Sequence, residues 1–180
     1  GEELGRVYQP DIALVSDTQS FCTTVAAWEP IKPATFAPRT ATLRDTYTAF
    51  SDPGAVPGDP LAGHLAHLAA VLPRDAILCN GAGNYSGWVH RFYRYRAPGS
   101  QLAPTAGAMG YGLPAAIGAQ LGDPDALVID IAGEASIQMN IQELGTATQY
   151  RLPVKIFILN NEYMGMVRQW QELTYESRYS

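Results

Sequence analysis

Short apolar runs alternate with longer stretches of helical periodicity in the second half of the chain. The runs AILC, ALVIDI and VKIFIL predict strands over residues 76–79, 126–131 and 154–159. Three stretches have helical periodicity. The first covers residues 61–72, the second opens at the glycines of 107–112 and runs to about 120, and the third covers residues 136–150. Apolar strands that alternate with helices in this way are typical of parallel βαβ units. The pattern therefore predicts a three-layer α/β/α fold with a mainly parallel sheet, buried on both faces.

The N-terminal part follows a different pattern. An apolar run at residues 11–15 predicts a strand, and residues 18–28 predict a helix whose start is marked by Ser16 and Asp17. The segment that follows is rich in proline, which cannot continue a helix or a central strand, and a short helix fits only near 41–50. We therefore expect the end of one domain over 1–28, a proline-rich interdomain linker over 29–60, and an α/β domain over 61–180.

Composition and charge exclude several classes of function. With 47% hydrophobic and 16% charged residues, the chain has the composition of a folded globular protein. Its net charge of −5 predicts no basic surface for nucleic acid or an anionic membrane. No apolar stretch approaches the roughly 18 residues of a membrane helix, and the N-terminus is acidic where a signal peptide would be basic. Cys22 and Cys79 lack metal-binding spacing, so we expect two buried thiols in a reducing compartment and a cytoplasmic protein.

Two other patterns have simple structural explanations. His64 and His67 share a helix face but have no third ligand nearby in the sequence, so we expect them to be solvated or capping residues rather than metal ligands. The segment HRFYRYR, residues 90–96, interleaves arginines with aromatic residues, as platforms for single-stranded nucleic acid do. In an acidic chain we expect instead an amphipathic segment against the domain or against a subunit partner.

Three strand ends are followed by turns of small or polar residues, at positions 81–85, 133–136 and 160–165. Because the carboxyl ends of parallel strands lie along one edge of the sheet, we expect these turns to be neighbours that offer backbone N–H groups to phosphate oxygens. Glu134 and Asn161 would add the hard oxygen ligands that Mg²⁺ takes beside a diphosphate. The residues alone leave an alternative open, in which Glu134 is an ordinary carboxylate of a helix N-terminus and the two asparagines merely form a turn.

The motifs and their flanks resemble thiamine diphosphate-dependent enzymes. That family marks its cofactor domain with Gly-Asp-Gly, about two dozen residues, and then Asn-Asn. Here Gly-Glu-Ala at 133–135 is followed by 24 residues and then Asn160-Asn161. The segments IDIAGEASIQMNIQEL, LPVKIFILNNEYMGMVRQWQ and GAMGYGLPAAIGAQ resemble the catalytic large subunit of acetolactate synthase, also called acetohydroxyacid synthase. The resemblance is dense from about residue 76, implies the thiamine diphosphate-binding fold without its final strands, and extends more weakly to the end of that enzyme's middle domain over 1–28.

The resemblance implies a role for each matching residue. The metal ligands would be the side chains of Glu134 and Asn161 and the carbonyl of Tyr163. The residues expected to contact the cofactor are Gly83, Asn84, Tyr85, Gly107, Met109, Ala135, Ser136, Met164 and Gly165. The residues expected in the substrate pocket are Met166, Val167 and Trp170.

The activity implied is decarboxylation of pyruvate and transfer of the resulting hydroxyethyl carbanion to a second 2-oxo acid, an early step in branched-chain amino acid biosynthesis. The resemblance also implies a homo-oligomer, at least a dimer, and full-length enzymes that can bind FAD and a regulatory subunit. The glutamate that activates the cofactor lies on an earlier domain in this family, and nothing in these 180 residues resembles that domain. We therefore expect no catalytic residue in this segment and no activity from it alone.

Departures from the family pattern keep other functions open. Glu134 stands where aspartate is usual, and Ala135 stands where glycine is usual. Because Mg²⁺ tolerates little deviation from about 2.0–2.1 Å, we predict weaker Mg²⁺ affinity than an aspartate would give. The segment GNYSGWVHRFYRYR, which starts at Gly83, also departs from the usual synthase sequence. The alternatives are another thiamine diphosphate-dependent 2-oxo acid decarboxylase or carboligase, and a non-catalytic module that binds a diphosphate or another subunit.

Overall fold

The computed structural model describes residues 3–30 and 32–179, and the chain divides into two compact units, Gly1–Asp45 and Thr46–Ser180. The boundary between the units falls inside the segment that the sequence predicts as a linker, residues 29–60. Within the described residues, no helix combines the length and the apolar character needed to cross a bilayer.

The first unit contains helix α1 (Thr18–Ala26), which starts where the sequence predicts. The Asp17 carboxylate caps it by accepting the amide N–H of Ser20 at 2.8 Å. The strand predicted over residues 11–15 is wrong, because this stretch has neither a neighbouring strand among the described residues nor a buried face. The expectation of a buried thiol at Cys22 is also wrong, since no described residue of this unit is buried and the thiol is exposed.

Helix α2 (Ala37–Phe50) begins four residues before the predicted start at 41. Pro38 lies in its first turn, where the missing N–H of proline removes no helical hydrogen bond, so the helix extends through it. A 3-10 turn, Pro53–Ala55, follows and is capped by Asp52.

A four-stranded parallel sheet forms the centre of the second unit. Its strands are β1 (Ile77–Asn80), β2 (Gln101–Leu102), β3 (Val128–Gly133) and β4 (Lys155–Leu159), in the order β2-β1-β3-β4. In the register of the sheet, Asn80 pairs with Ile131 and Gly133 pairs with Leu159. The carboxyl ends of β1, β3 and β4 therefore lie along one edge, as the sequence predicts.

Six helices accompany this sheet among the described residues: α3 (Pro60–Val71), α4 (Asn84–Phe92), α5 (Gly112–Gly122), α6 (Glu134–Gln138), α7 (Leu144–Gln149) and α8 (Gly165–Thr174). The single helix predicted over 136–150 is wrong, because α6 and α7 are separated by a 3-10 turn, Ile141–Glu143. The break lies at Asn140, whose backbone leaves the helical conformation while its side-chain amide donates to the carbonyl of Gly110 at 2.8 Å. The helix is therefore interrupted at Asn140, where the side chain bonds a distant loop instead.

Helices cover both faces of the inner strands. On one face, Leu65 of α3 and Val89 and Phe92 of α4 pack with Leu78 and Ile131. On the other face, α5 packs against the sheet through two clusters, whose buried members include Leu113, Ala116, Ile117, Cys79, Val128 and Ala132. The predicted three-layer α/β/α fold and the buried thiol of Cys79 are therefore confirmed.

Burial on both faces is wrong for β4. This strand lies at the edge of the sheet, and its Phe157 and Ile158 are 43% and 53% exposed. The apolar composition of VKIFIL predicts burial, but burial also needs neighbouring elements, which the described residues supply only in part.

The tyrosine- and arginine-rich segment packs against its own domain. The Arg91 guanidinium lies 4.0 Å from the centre of the Phe50 ring, and Arg94 donates to the Ser51 hydroxyl at 2.8 Å. Arg96 donates to the carbonyl of Leu72 at 2.6 Å. These arginines thus contact the C-terminal ends of α2 and α3. The contacts confirm the prediction that residues 90–96 form an amphipathic segment packed against the domain.

Candidate functional site

A cleft at the carboxyl edge of the sheet gathers the three predicted turns. Thirteen of the fifteen residues assigned to the site by the sequence line it. They are Gly83, Asn84, Tyr85, Met109, Glu134, Ala135, Ser136, Asn161, Tyr163, Met164, Gly165, Met166 and Val167. Ala82, Gly133 and Leu159 complete the lining. The strand order explains this convergence, because β1, β3 and β4 are adjacent and end together.

Two of the predicted site residues lie outside this lining. Gly107 closes a turn by donating its N–H to the carbonyl of Pro104 at 3.1 Å, in a left-handed conformation with φ of 67° that favours glycine. Trp170 lies one turn further along α8 than Met166, and 60% of its surface is exposed.

The three predicted metal ligands are neighbours at one end of the cleft. A carboxylate oxygen of Glu134 accepts the amide N–H of Tyr163 at 3.0 Å, and the side-chain oxygen of Asn161 accepts the same N–H at 3.1 Å. Each of these oxygens keeps further lone pairs, and the Tyr163 carbonyl belongs to the same turn. The donor set is therefore one carboxylate, one amide and one backbone carbonyl, which suits Mg²⁺ better than a soft metal.

The alternative interpretation, in which Glu134 is a carboxylate at a helix N-terminus and the asparagines form a turn, also describes features of this structure. Glu134 is the first residue of α6, and Asn160 stabilises the turn by accepting the N–H of Glu162 at 3.0 Å. The described residues contain no cluster of three or more histidine, cysteine or acidic side chains. A cation here would consequently depend on a single protein carboxylate, with ligand or water oxygens completing its coordination.

Close packing behind the cleft requires glycine at two positions. A Cβ on Gly81 would lie 2.5 Å from the Ser136 hydroxyl and 3.0 Å from the Tyr85 hydroxyl. A Cβ on Gly133 would lie 3.0 Å from the Tyr85 ring. A separation of 2.5 Å essentially never occurs for a real Cβ, and one of 3.0 Å would force the Tyr85 ring to shift, so these glycines allow the ends of β1 and β3 to approach Tyr85. Burial raises the pKa of the Tyr85 phenol, which therefore stays neutral.

Ser136 connects the cleft to the loop that carries Met109. Its hydroxyl oxygen is buried, accepts the N–H of Gly110 at 3.0 Å and lies 3.5 Å from the Tyr85 hydroxyl. Together with the hydrogen bond from Asn140 to the Gly110 carbonyl, this contact fixes both polar groups of Gly110. The Met109 side chain is thereby held at the cleft wall.

Gln169 is a residue of the site region that the sequence analysis missed. Its side-chain oxygen accepts a hydrogen bond from the Asn84 amide at 3.1 Å, which joins the start of α4 to α8. The available signal was spacing, since Gln169 lies four residues after Gly165 and so on the same face of α8. Asn140 was missed as well, because its role depends on a loop thirty residues away.

Comparisons with known proteins agree with this geometry. Residues 81–180, which include every predicted site residue, match the family described as "Thiamine pyrophosphate enzyme, C-terminal TPP binding domain". The chain is 44% identical over 128 residues to the mitochondrial acetolactate synthase catalytic subunit of Aspergillus candidus, covering 71% of this chain and 18% of that protein. It is 39% identical over 183 residues to the acetolactate synthase large subunit of Parasynechococcus marenigrum, covering 99% of this chain and 29% of that protein.

A solved structure resembles the fold as well. The thiamine diphosphate-dependent 4-hydroxybenzoylformate decarboxylase of Rhodococcus jostii RHA1 superposes with a TM-score of 0.61 and 36% sequence identity, covering 67% of this chain and 23% of that one. The chain thus spans less than a third of the length of these relatives.

Proposed function

Since the chain belongs to the family of the C-terminal TPP-binding domain of thiamine pyrophosphate enzymes, we propose that its cleft holds Mg²⁺ and thiamine diphosphate within an acetolactate synthase. The observation that carries the metal assignment is the convergence of Glu134 and Asn161 on one backbone N–H, that of Tyr163. The identity of 39–44% to acetolactate synthase subunits supports the choice within the family.

Each part of the cleft has a task in this proposal. Glu134, Asn161 and the Tyr163 carbonyl hold Mg²⁺, and the turn at 83–85 offers backbone and side-chain donors to the diphosphate, together with the neighbouring Ser136 and Gly165. Gly107 and Met109 belong to the loop proposed to support the aminopyrimidine ring. When bound, thiamine diphosphate supplies the nucleophilic carbon and the electron sink for loss of carbon dioxide from a 2-oxo acid.

The start of α8 forms the proposed substrate side. Met166 and Val167 line the cleft with apolar groups, and Trp170 extends the same surface along the helix. Apolar side chains here would limit access of water to the bound cofactor and would suit the methyl group of a small 2-oxo acid such as pyruvate. In our proposal the product is 2-acetolactate, or 2-aceto-2-hydroxybutanoate from 2-oxobutanoate. We also propose that the enzyme is a cytoplasmic homodimer or larger oligomer, of a family whose full-length members can bind FAD and a regulatory subunit.

The metal assignment is tested by calorimetric titration of thiamine diphosphate into the protein that carries this chain, with Mg²⁺ and then with EDTA. We expect binding only with Mg²⁺, and loss of binding in Glu134→Gln and Asn161→Ala. Glu162→Gln is the matched control, because it removes one carboxylate from the same turn without touching the proposed ligands. Equal affinities for Glu134→Gln, Glu162→Gln and the unmodified protein would refute the metal assignment.

The glutamate at position 134 carries a separate prediction. A glutamate carboxylate extends one methylene further than that of aspartate, while Mg²⁺ demands oxygens at about 2.0–2.1 Å. We expect Glu134→Asp to bind Mg²⁺ more tightly, measured as a lower Mg²⁺ concentration for half-maximal cofactor binding. An unchanged or higher concentration would show that the turn already compensates for the longer side chain.

A second candidate is another 2-oxo acid decarboxylase or carboligase of the family, which the similarity to the Rhodococcus decarboxylase favours. Products formed from pyruvate by the protein that carries this chain separate the two, since a synthase yields acetolactate and a simple decarboxylase yields an aldehyde. A non-catalytic module would bind the cofactor with Mg²⁺ and form neither product. We also expect the 180-residue chain alone to form no acetolactate, and steady formation by the purified chain would contradict this.

A further inference from the structure

Asp130 is a buried acidic residue that the proposed function leaves unexplained. It lies in the middle of β3 among apolar neighbours, none of its surface is exposed, and neither carboxylate oxygen has a hydrogen-bond partner among the residues that the structure describes. An unpartnered buried acid destabilises a fold, so a functional reason for its position is worth seeking.

The position of Asp130 connects it to the back of the proposed diphosphate turn. Across the sheet it pairs with Cys79, one residue before the end of β1. A Cβ on Gly112, the first residue of α5, would overlap the Oδ1 atom of Asp130 and would lie 3.1 Å from the amide nitrogen of Gly81. The carboxyl group therefore lies where the start of α5 and the start of the 81–85 turn meet.

Among the described groups that surround Asp130, none other is expected to change its charge near neutral pH. Burial raises the pKa of Asp130 to about 7. On β1, burial raises the pKa of the Cys79 thiol to about 12, and burial also raises that of Tyr85 in the turn. Helix α5 contains no ionisable side chain, and the β4 residue opposite Asp130 is Ile156. Between pH 6 and 8.5 the charge behind the turn is thus set by Asp130.

We propose that Asp130 is a positioning residue whose neutral carboxyl group supports the turn at 81–85 in its diphosphate-binding form, and whose ionisation weakens diphosphate binding. An anion at this place repels a diphosphate across a low-dielectric region. It also attracts the backbone N–H groups of Gly81 and of the first turn of α5, which draws the turn away from the ligand. This inference rests on the proposed function, since it assumes that the turn binds a diphosphate.

The test compares the affinity of the protein that carries this chain for thiamine diphosphate at saturating Mg²⁺ from pH 6.5 to 8.5, in the unmodified form and in Asp130→Asn. The variant keeps the size of the side chain but cannot ionise. Ionisations of the cofactor affect both proteins equally. The dissociation constant of the unmodified protein divided by that of Asp130→Asn therefore reports the ionisation of Asp130 alone. We expect this ratio to rise at least fivefold over the range, with a limit of about tenfold per pH unit above pH 7 for one proton.

Controls separate this inference from the proposed function. Asp125→Asn removes the same charge from an exposed site shortly before β3 and should leave the pH profile unchanged. Parallel profiles for Asp130→Asn and the unmodified protein, or an equal loss of affinity at every pH, would overturn the role of Asp130 while the proposed function stands. Absence of binding in the unmodified protein at every pH would instead overturn the proposed function.

A second measurement needs no variant, in case Asp130→Asn fails to fold. Calorimetry of the unmodified protein at pH 7.5, in two buffers of different ionisation enthalpy, counts the protons exchanged when the preformed Mg²⁺ complex of thiamine diphosphate binds, so that protons displaced from the free diphosphate by Mg²⁺ are not counted. Because the neutral carboxyl is the binding form, we expect net proton uptake. No exchange, or net release, would contradict the proposal.

Discussion

Gly81 offers a direct test of how the cleft is built. In Gly81→Ala, the added Cβ would lie 2.5 Å from the Ser136 hydroxyl oxygen, 3.0 Å from the Tyr85 hydroxyl and 3.4 Å from the Gly110 nitrogen. Ser136 cannot move freely, because it is buried and holds the Gly110 N–H. The substitution must therefore either displace β1 or break that hydrogen bond.

The expected cost follows from these contacts. Overpacking of a closely packed site costs about 1–3 kcal/mol, and loss of the hydrogen bond between Gly110 and Ser136 adds about 1 kcal/mol. Replacing glycine by alanine recovers about 0.4–1 kcal/mol through the unfolded state. We expect a net loss of about 2–3 kcal/mol in the free energy of unfolding, together with weaker cofactor binding.

Urea unfolding of the protein that carries this chain, followed by intrinsic fluorescence, measures this loss. Gly63→Ala is the matched control, because Gly63 lies within α3 and its added Cβ would meet nothing within 4 Å. That substitution should stabilise the protein by about 0.5–1 kcal/mol. Gly81→Ala and Gly63→Ala with equal stability would refute the packing argument.

A double-mutant cycle identifies the clashing partner. Ser136→Ala removes the hydroxyl nearest to the new Cβ, so the double variant Gly81→Ala, Ser136→Ala should lose at least 1 kcal/mol less than the sum of the single variants. Additive losses would show that the strain lies elsewhere, for example against Tyr85.

Further predictions concern other parts of the domain. Asp130→Asn should stabilise the protein increasingly as the pH rises from about 4 to about 7, because the native carboxyl keeps a proton that the unfolded chain releases. Urea unfolding should show its advantage growing by about 2 kcal/mol between pH 5 and pH 7, with a limiting slope of about 1.4 kcal/mol per unit, and levelling off above pH 7. An advantage independent of pH would contradict that. Asn140→Ala should release the Gly110 carbonyl and lower cofactor affinity severalfold by calorimetry, and unchanged affinity would show that Ser136 alone holds the loop. A thiol reagent at pH 8 should modify Cys22 in the folded protein and Cys79 only after unfolding, as mass spectrometry of each peptide would show; equal rates would contradict the burial of Cys79.

Local features of the sequence predict the three turns of the cleft, and the resemblance to the family implied most of its individual residues. The turns after β1, β3 and β4 follow from apolar runs that end in glycine, acidic or asparagine residues, and parallel strands must end at a common edge. Glu134 and Asn161 could therefore be placed next to each other from the sequence pattern, whereas the role of the Tyr163 carbonyl was implied only by the resemblance to the family. The start of α1 at Asp17 was predictable for a similar reason, since a cap acts within its own turn.

The alternation of strands and helices and the turns that face the cleft follow from the sequence, because each depends on neighbours in the chain. The parallel direction of the strands follows in turn, because each helical crossover returns the chain to the same end of the sheet. Long-range contacts, in contrast, determine that Asn140 leaves its helix to hold Gly110, and that β4 lies at the exposed edge of the described sheet. They also determine that Asp130 lies behind the turn at 81–85 without a hydrogen-bond partner among the described residues. These features depend on which distant residues meet, and periodicity carries no information about a contact between residues far apart in the chain.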